Sequence, residues 1–488
     1  MTRHRGSFRV RSEKAYSQRS SHVAFLTDLR QAPRLVTIVA FAAVALGITY
    51  GYDISNIAGA LLFIEGDLGL NTAELGGLAT AVVIGQIVGA IIGGPLSNAI
   101  GRKKSMFLIA GGYIVFSIIS GIAPGYLSLL IARLFLGVAI GIALAVVPVF
   151  IAESSPTKVR GGLLVAYQVT TVIGIIAGYL VCWGLALIES WRLMLGLAAV
   201  PAAIVLILLF RVRETPHWLM LKGRDAEAAA ALREFDPDRD VDRDLGLIRA
   251  ELNQESGRLV DMFRGHLLRA TLFVIGLGFF IQITGINATI YYAPSIFESM
   301  GFSGYGALLG LPAVVQTFAL IAVIVSMFIV DRLGRRPVLL TGIGIMIVST
   351  LVLVLVFSLG GEAGSTTGGT VFGVIGIIAF TMGYTFGFGS LVWVYAGETF
   401  PAKYRALGAS LMLTADLVAN AIVAQFFPGL LELIGGAGVF LVFGGLAVLA
   451  FLFVLRFAPE TKGRDLSEIS AYWANGAKWP TEMRTATK

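Results

Sequence analysis

Long runs of apolar residues alternate with short polar connections along most of the chain. A helix needs about 20 apolar residues to cross the hydrocarbon core of a bilayer, and taking each long run as one span gives about twelve spans. Membrane β-barrels instead show alternating segments of about 10 residues, which these continuous runs do not resemble. The pattern predicts an all-α membrane protein whose spans have their centres near Ala45, Ile84, Tyr113, Val138, Ile173, Ile204, Gly278, Leu320, Met346, Met382, Thr414 and Val448.

The connections between spans fall into two kinds that alternate along the chain. One kind carries basic residues, as in "NAIGRKKS", "ESSPTKVRGG", "DRLGRRP" and "ETFPAKYRA". The other kind carries none, as in "APGYLS" and "LELIGGAG", and Arg192 is the one basic residue near that side. Cytoplasmic loops of membrane proteins are enriched in lysine and arginine. We therefore expect a multi-pass protein of the cell membrane with both termini in the cytoplasm.

A long charged, alanine-rich segment separates two groups of six spans. It is typical of short amphipathic helices, although a plain linker with a solvated face fits the same pattern. The expected organisation is two six-helix bundles joined by a cytoplasmic helical linker. Its parts are a cytoplasmic tail (1–34), the N-terminal bundle (35–211), the linker (212–266), the C-terminal bundle (267–457) and a cytoplasmic C-terminal tail (458–488).

Composition supports this class and removes several others. Hydrophobic residues make up 56% of the chain and charged residues only 14%, too few for a soluble protein of this length. The net charge of +7 is assigned to loops facing anionic lipid rather than to nucleic acid. One cysteine forms no intrachain disulfide, and the four histidines lie outside the apolar runs, so we expect no metal site. Neither a nucleotide-binding run nor an enzymatic constellation is present, so we expect no cofactor and no catalysis.

The two halves repeat each other. "PLSNAIGRKKS" follows the second span and "FIVDRLGRRPV" the eighth, while a glutamate precedes an arginine by the same spacing after the fourth and tenth spans. Parallel six-span repeats with a site at their interface are a known transporter architecture. The repeated charges can lock the halves together on the cytoplasmic side, or they can only anchor the spans. The candidate gate residues are Arg102, Glu153, Arg160, Asp331, Arg335, Glu398 and Arg405.

The chain resembles a sugar porter of the major facilitator superfamily from about Val36 to about Leu466. The resemblance is carried by "GRKKS" and "GRRPV", "RLFLGVAIG", "PVFIAE…VRG", "RETPHWL", "TGINATIYYAP", "VWVYAGETFP" and "PETKG". Each motif is weak alone, but together they occur in order and on the predicted sides. The resemblance implies the major facilitator fold and transport of a sugar.

Two opposite charges lie within the apolar runs of the first half. Asp53 comes about 18 residues, or 27 Å, after Leu35, and Arg133 comes about six residues, or 9 Å, after Leu127 on a span of opposite direction. Both therefore fall at similar depth in the outer half of the bilayer, where intramembrane charges usually pair. Protonation of Asp53 would release Arg133, which is the logic of a proton-driven symporter.

The resemblance bears on the same pair. Proton-coupled members of the family carry aspartate at the "YGYD" position, Asp53 here, whereas the facilitative glucose transporters of animals typically carry asparagine. The alternative is a structural ion pair with no role in coupling.

A sugar site needs amides, hydroxyls and an aromatic face. The resemblance assigns sugar contacts to positions matching Gln168, Gln282, Asn287 and Trp393, and Asn420 lies in the eleventh apolar run. An interhelical hydrogen bond is the alternative for each amide, and ordinary packing is the alternative for the tryptophan.

The seventh span carries signals of a bend. Gly285 and Pro294 flank the segment that contains Asn287. They could let its outer part close over substrate as a gate, with Tyr291 and Tyr292 as the lid. The alternative is an ordinary helix that ends at a proline.

Asp416 stands near the bilayer midplane in the eleventh span, where the family resemblance suggests a glutamine. It could accept hydrogen bonds from a sugar, act as a second proton site or pair with a cationic substrate; a protonated carboxyl between helices is the alternative. The sequence predicts a monomeric proton-coupled symporter that imports a monosaccharide: a hexose such as glucose, or a related pentose or inositol. A facilitative uniporter and a non-transporting sugar sensor stay open.

Overall fold

The computed structural model describes residues 33–235, 240–253, 257–363 and 367–479. Side chains are described within these ranges except at 157–158, 360–363 and 367–368. The expected N-terminal tail (1–34) therefore lies almost wholly outside the described residues, as does the end of the expected C-terminal tail.

Six apolar spans build the N-terminal half. The first helix ends at Gly69 in the left-handed conformation, and the second begins with a capping box between Asn71 and Glu74. The sixth span is broken into two short helices. The helices of this half are α1 Arg34–Leu68, α2 Thr72–Ile100, α3 Arg102–Gly121, α4 Tyr126–Glu153, α5 Thr157–Ala186, α6 Trp191–Gly196 and α7 Ala199–Leu209.

Short helices follow before the second half begins. They are α8 Pro216–Leu221, α9 Asp225–Phe235, α10 Val241–Leu252 and α11 Leu259–Met262. One face of α9 is buried, whereas α10 buries none of its residues and is tied to α9 by an ion pair between Arg249 and Asp225. On α9, hydrogen bonds from Arg224 lower the pKa of the exposed Glu227 carboxyl. The described part of this segment is thus largely helical, with buried residues in α8 and α9 and none in α10.

The C-terminal half contains long helices with several interruptions. A π-helical turn at Thr385–Gly389 joins the two parts of the tenth span. The helices are α12 Leu267–Ile283, α13 Ile286–Tyr291, α14 Ala293–Ser299, α15 Tyr305–Leu333, α16 Arg335–Ala363, α17 Thr367–Tyr384, α18 Ser390–Thr399 and α19 Ala402–Phe457, followed by α20 Leu466–Ala474.

The helix α19 is too long for one crossing of a membrane. Its 56 residues would extend about 84 Å, against about 30 Å for the hydrocarbon core. Gly435, with φ 65° and ψ 177°, interrupts the helical backbone. The eleventh and twelfth spans therefore meet at Gly435, and the prediction of twelve spans is confirmed. All regular elements in the part of the chain that the structure describes are helical.

Close packing of α2 on α4 sets the position of Arg133. A Cβ atom built on Gly85 would lie 2.1 Å from the carbonyl oxygen of Leu134, and one built on Gly137 would lie 2.1 Å from that of Val82. Helices in a membrane approach this closely only where small residues face each other. The glycines therefore bring the backbone that carries Arg133 directly against α2.

The two halves meet along α2 and α19, along α5 and α15, and where α1 packs on α13 and α14. We call the end of the bundle that carries the repeated Gly-Arg turns the basic end, and the opposite end the far end. Toward the far end, Tyr179 donates to the Ile290 carbonyl at 2.6 Å and Thr72 donates to Glu432 at 2.9 Å. The halves are thus tied together at the far end.

Candidate functional site

Asp53 and Arg133 form a buried ion pair between α1 and α4. Arg133 Nη1 donates to Asp53 Oδ1 at 3.0 Å, as their similar depth in the sequence predicted. The side chains are only 4% and 2% exposed, respectively. Arg133 Nε has no hydrogen-bond partner. Because burying a single charge costs several kcal/mol, each of these groups depends on the other for compensation.

A small cavity lies beside this ion pair. Gln86 of α2 reaches it from the side, and its buried Oε1 has no hydrogen-bond partner. The sequence analysis missed this residue, although a glutamine inside the apolar run "VVIGQIVGA" is the same kind of signal as Asp53. The cavity is lined by Asp53, Ile54, Ile57, Ala79, Val82, Gln86, Arg133 and Tyr291.

Tyr291 connects the cavity to the second half of the molecule. It is the last residue of α13, and its ring lines the cavity that contains Asp53 and Arg133. Its hydroxyl accepts a hydrogen bond of 3.3 Å from Nδ2 of Asn420 on α19. One side chain of the seventh span therefore lines the cavity beside the ion pair of the first half and accepts a hydrogen bond from a polar group of the second.

Three polar side chains gather in the C-terminal half, and we call Gln282, Asp416 and Asn420 the acceptor cluster. Asp416 and Asn420 are both buried and lie one turn apart on α19, and Gln282 of α12 lies close enough to hydrogen-bond to Asp416. One oxygen atom of each of the three side chains has no hydrogen-bond partner. Buried acceptors without donors cost free energy, so the cluster is suited to a ligand that supplies donors.

Other candidate sugar contacts are placed less tightly. Gln168 is exposed, Asn287 is partly exposed, and Trp393 is 39% exposed. Within the described part of the chain, no hydrogen bond engages these three side chains. Tyr292 is buried and donates to the carbonyl of Ala424 at 2.7 Å, so its hydroxyl is occupied by packing of α19. Roles for these four residues in sugar binding stay predictions.

The seventh span is broken where its sequence suggested a bend. α12 ends at Ile283, Gly285 has φ 96°, and a second break at Tyr292 precedes α14, which contains Pro294. A Cβ atom on Gly285 would lie 2.4 Å from the ring of Phe443, so only glycine fits there without displacement. The segment that carries Asn287 and Tyr291 is thus a separate short helix, α13.

Ion pairs at the basic end join helices of the same half. Arg102 holds both carboxylate oxygens of Glu153, with Nη2 3.1 Å from Oε1 and Nε 3.1 Å from Oε2. Arg335 lies 3.2 Å from Asp331 and 3.9 Å from Glu398. The repeated motifs thus build the same kind of contact twice. Whether these groups also lock the two halves together stays a prediction.

Glu153 gathers two further groups. Thr215 donates to it at 2.6 Å, and His217 Nδ1 lies 3.6 Å from its Oε1. The arginines that follow the two repeated glutamates, Arg160 and Arg405, lie near the starts of α5 and α19 and therefore also come to the basic end.

The motifs "RETP" and "PETKG" contribute a pair of contacts that the sequence analysis did not foresee. Glu214 accepts hydrogen bonds from the backbone N–H groups at the start of α3, and Glu460 does the same at the start of α16. A Cβ atom on Gly101 or Gly334, both with φ above 100°, would meet these carboxylates at 2.2 and 2.6 Å. The glycine of each Gly-Arg turn is therefore required by the glutamate that caps the next helix.

Comparison with known proteins places this arrangement among transporters. The family model described as "Sugar (and other) transporter" matches residues 39–473. The glucose transporter GlcP of Staphylococcus epidermidis is 35% identical over 426 residues, covering 87% of this chain and 94% of that protein. The galactose-proton symporter of Escherichia coli K12 is 32% identical over 442 residues, covering 90% and 95%.

Solved structures of the major facilitator superfamily show the same fold. The proton:xylose symporter XylE bound to 6-bromo-6-deoxy-D-glucose matches with a TM-score of 0.75 and 25% identity, over 90% of this chain and 99% of that one. The inward-open conformation of XylE from Escherichia coli matches with a TM-score of 0.78 at 24% identity, over 90% and 100%. The predicted twelve-helix fold is thus confirmed by both the helices and the comparisons.

Proposed function

We propose, because this chain belongs to the sugar transporter family of the major facilitator superfamily, that it is a proton-coupled symporter that imports a monosaccharide by alternating access. The carrying observation is the buried pair of Asp53 and Arg133 beside a cavity that Tyr291 of the seventh span also lines. Relatives whose names specify glucose, galactose-proton, xylose and polyol transport support this class of substrate.

Proton coupling follows from the dependence of the two buried charges on each other. An ionised Asp53 holds Arg133 between α1 and α4, and a protonated Asp53 no longer compensates the guanidinium. Any movement of α1 relative to α4 therefore changes the proton affinity of Asp53, and proton binding changes the preferred arrangement of the helices. This reciprocity is what a symporter requires.

Sugar binding is assigned to the polar groups on the other side of Tyr291. The acceptor cluster presents unpartnered oxygen atoms, which suit the donor hydroxyls of a hexose such as glucose, a pentose or an inositol. Gln168, Asn287 and Trp393 are proposed to complete the pocket. Asn420 donates a hydrogen bond to the Tyr291 hydroxyl, and Tyr291 lines the cavity beside the ion pair. Substrate that binds the acceptor cluster would therefore act on that cavity through Tyr291.

Alternating access requires two arrangements of the halves. At the far end the halves are joined by the hydrogen bonds of Tyr179 with Ile290 and of Thr72 with Glu432. We assign the basic end to the cytoplasm by its arginine and lysine content. The ion pairs that now lie within each half at the basic end are proposed to regroup across the halves when the far end opens. Both sites lie in one chain, and we propose that it works as a monomer in the cell membrane.

Reconstitution into proteoliposomes tests the proposal. Uptake of labelled glucose, galactose, xylose and inositol is measured with and without a pH gradient that is acidic outside. We expect at least one sugar to accumulate above equilibrium only with the gradient. Asp53→Asn should abolish accumulation but keep sugar exchange, because an asparagine cannot carry the proton.

The matched control is Asp67→Asn. Asp67 lies on the same helix but forms a half-exposed ion pair with Arg192 at the far end. This variant should accumulate sugar like the parent. Equal accumulation by Asp53→Asn and the parent would overturn proton coupling and leave a uniporter, and no uptake of any sugar by the parent would overturn the transport proposal.

A further inference from the structure

Asp416 is a buried carboxyl without a cationic partner. It is 6% exposed, and among the residues that the structure describes no ion pair includes it. Its Oδ1 atom has no hydrogen-bond partner. Arg133, a buried guanidinium of the first half, is already bound to Asp53. A carboxylate at this depth is costly unless something positive reaches it.

The side chains near Asp416 are of the kind that bind a small organic cation. Tyr50, Tyr291 and Tyr384, which lie on three different helices, are near enough to the carboxyl to interact with it electrostatically. Aromatic rings combined with one carboxylate are a usual environment for an organic ammonium group. The neutral amide Gln282 comes within hydrogen-bonding reach of the carboxyl.

The remaining oxygens of the acceptor cluster define the rest of the ligand. Oε1 of Gln282 and Oδ1 of Asn420 are buried and unpartnered, like Oδ1 of Asp416. A ligand that binds this cluster must be a small molecule with several hydrogen-bond donors. A neutral sugar supplies hydroxyls but leaves the Asp416 charge uncompensated, whereas an amino sugar supplies hydroxyls and a positive charge together.

We propose that Asp416 is a specificity-determining residue that makes the acceptor cluster bind a protonated 2-amino-2-deoxyhexose, with the ammonium against Asp416 and the hydroxyls against Gln282 and Asn420. The inference rests on the proposed transport function and narrows its substrate class. Neutralisation of the carboxylate by the bound ammonium favours the amino sugar over its neutral analogues. No covalent step is involved.

Competitive uptake into proteoliposomes tests this. Labelled glucosamine, glucose and N-acetylglucosamine are compared on the parent, because glucose keeps the size of the sugar without its charge and the acetylated sugar keeps the nitrogen without its charge. We expect transport of glucosamine, and rejection of N-acetylglucosamine relative to it. Asp416→Asn should lower the ratio of glucosamine to glucose transport by at least about tenfold, as the loss of one hydrogen bond to a charged group implies.

Two further measurements distinguish failure of this inference from failure of the proposed transport function. Ligand-induced thermal stabilisation of the parent in detergent should be larger for glucosamine than for N-acetylglucosamine, and this needs no variant that might misfold. Asp67→Asn is the control for loss of a carboxylate elsewhere and should keep the parental ratio. An unchanged ratio of glucosamine to glucose transport in Asp416→Asn overturns the inference. Equal loss of transport of both sugars, which a second proton site would give, also overturns it. In either case the proposed sugar transport stands. Absence of all sugar uptake by the parent overturns the proposed function instead.

Discussion

Arg133 lies 3.0 Å from Asp53 in a contact that is closed to solvent on both sides. Gly85 and Gly137 bring α4, which carries Arg133, directly onto α2. It borders a cavity that reaches Tyr291 and, through Tyr291, Asn420 of the other half. Asp53, whose charge changes on protonation, thus lies close to a segment that belongs to the second bundle.

The first prediction concerns the mutual dependence of this pair. Arg133→Gln should lower the free energy of unfolding by about 3–5 kcal/mol, because the carboxylate stays buried without a partner. Asp53→Asn combined with Arg133→Gln should recover part of that loss, since neither charge remains. Unfolding of the purified protein in mixed micelles measures both values. Additive effects of the two substitutions would contradict the dependence.

A second prediction separates two adjacent tyrosines. Tyr291→Phe removes the hydroxyl that accepts from Asn420, and we expect weaker coupling between sugar and proton movement with a smaller loss of stability than for Tyr292→Phe, because the 3.3 Å hydrogen bond is longer. Tyr292→Phe removes a buried bond to the Ala424 carbonyl and should cost about 1–3 kcal/mol of stability instead. Gradient-driven accumulation and thermal unfolding are measured on both variants. We expect accumulation to fall more in Tyr291→Phe and stability to fall more in Tyr292→Phe. Equal effects of the two substitutions on both readouts would argue against it.

The third prediction tests close helix packing. Gly85→Ala places a Cβ atom 2.1 Å from a backbone oxygen of α4 and should destabilise the protein by about 1–3 kcal/mol. Gly94→Ala is the matched control, because it lies on the same helix with nothing within 4 Å of the added atom. The control should be neutral or slightly stabilising, since alanine favours helix. Unfolding midpoints that fall equally in both variants would show that the crossing of α2 and α4 is looser than described.

Part of this arrangement could be predicted from the sequence. Apolar runs gave the number and direction of the spans, and counting residues from their ends placed Asp53 and Arg133 at one depth. The rotation of each helix about its axis could not be predicted from the sequence, because it depends on packing at positions such as Gly137 rather than on hydropathy. For that reason the contact of Tyr291 with Asn420 could not be foreseen, whereas Gln86, an amide inside an apolar run, did have a signal in the sequence.

The last prediction concerns the glutamates that cap helices at the basic end. Glu460 accepts hydrogen bonds from the backbone N–H groups of Arg335 and Arg336. Glu460→Gln removes the charge that favours the start of α16 and should lower stability by about 1–2 kcal/mol. Glu298→Gln, at an exposed position of α14, is the control and should leave stability unchanged. If the two variants unfold alike in detergent, Glu460 stabilises α16 no more than a surface charge would, and the explanation for the glycine at position 334 loses its support.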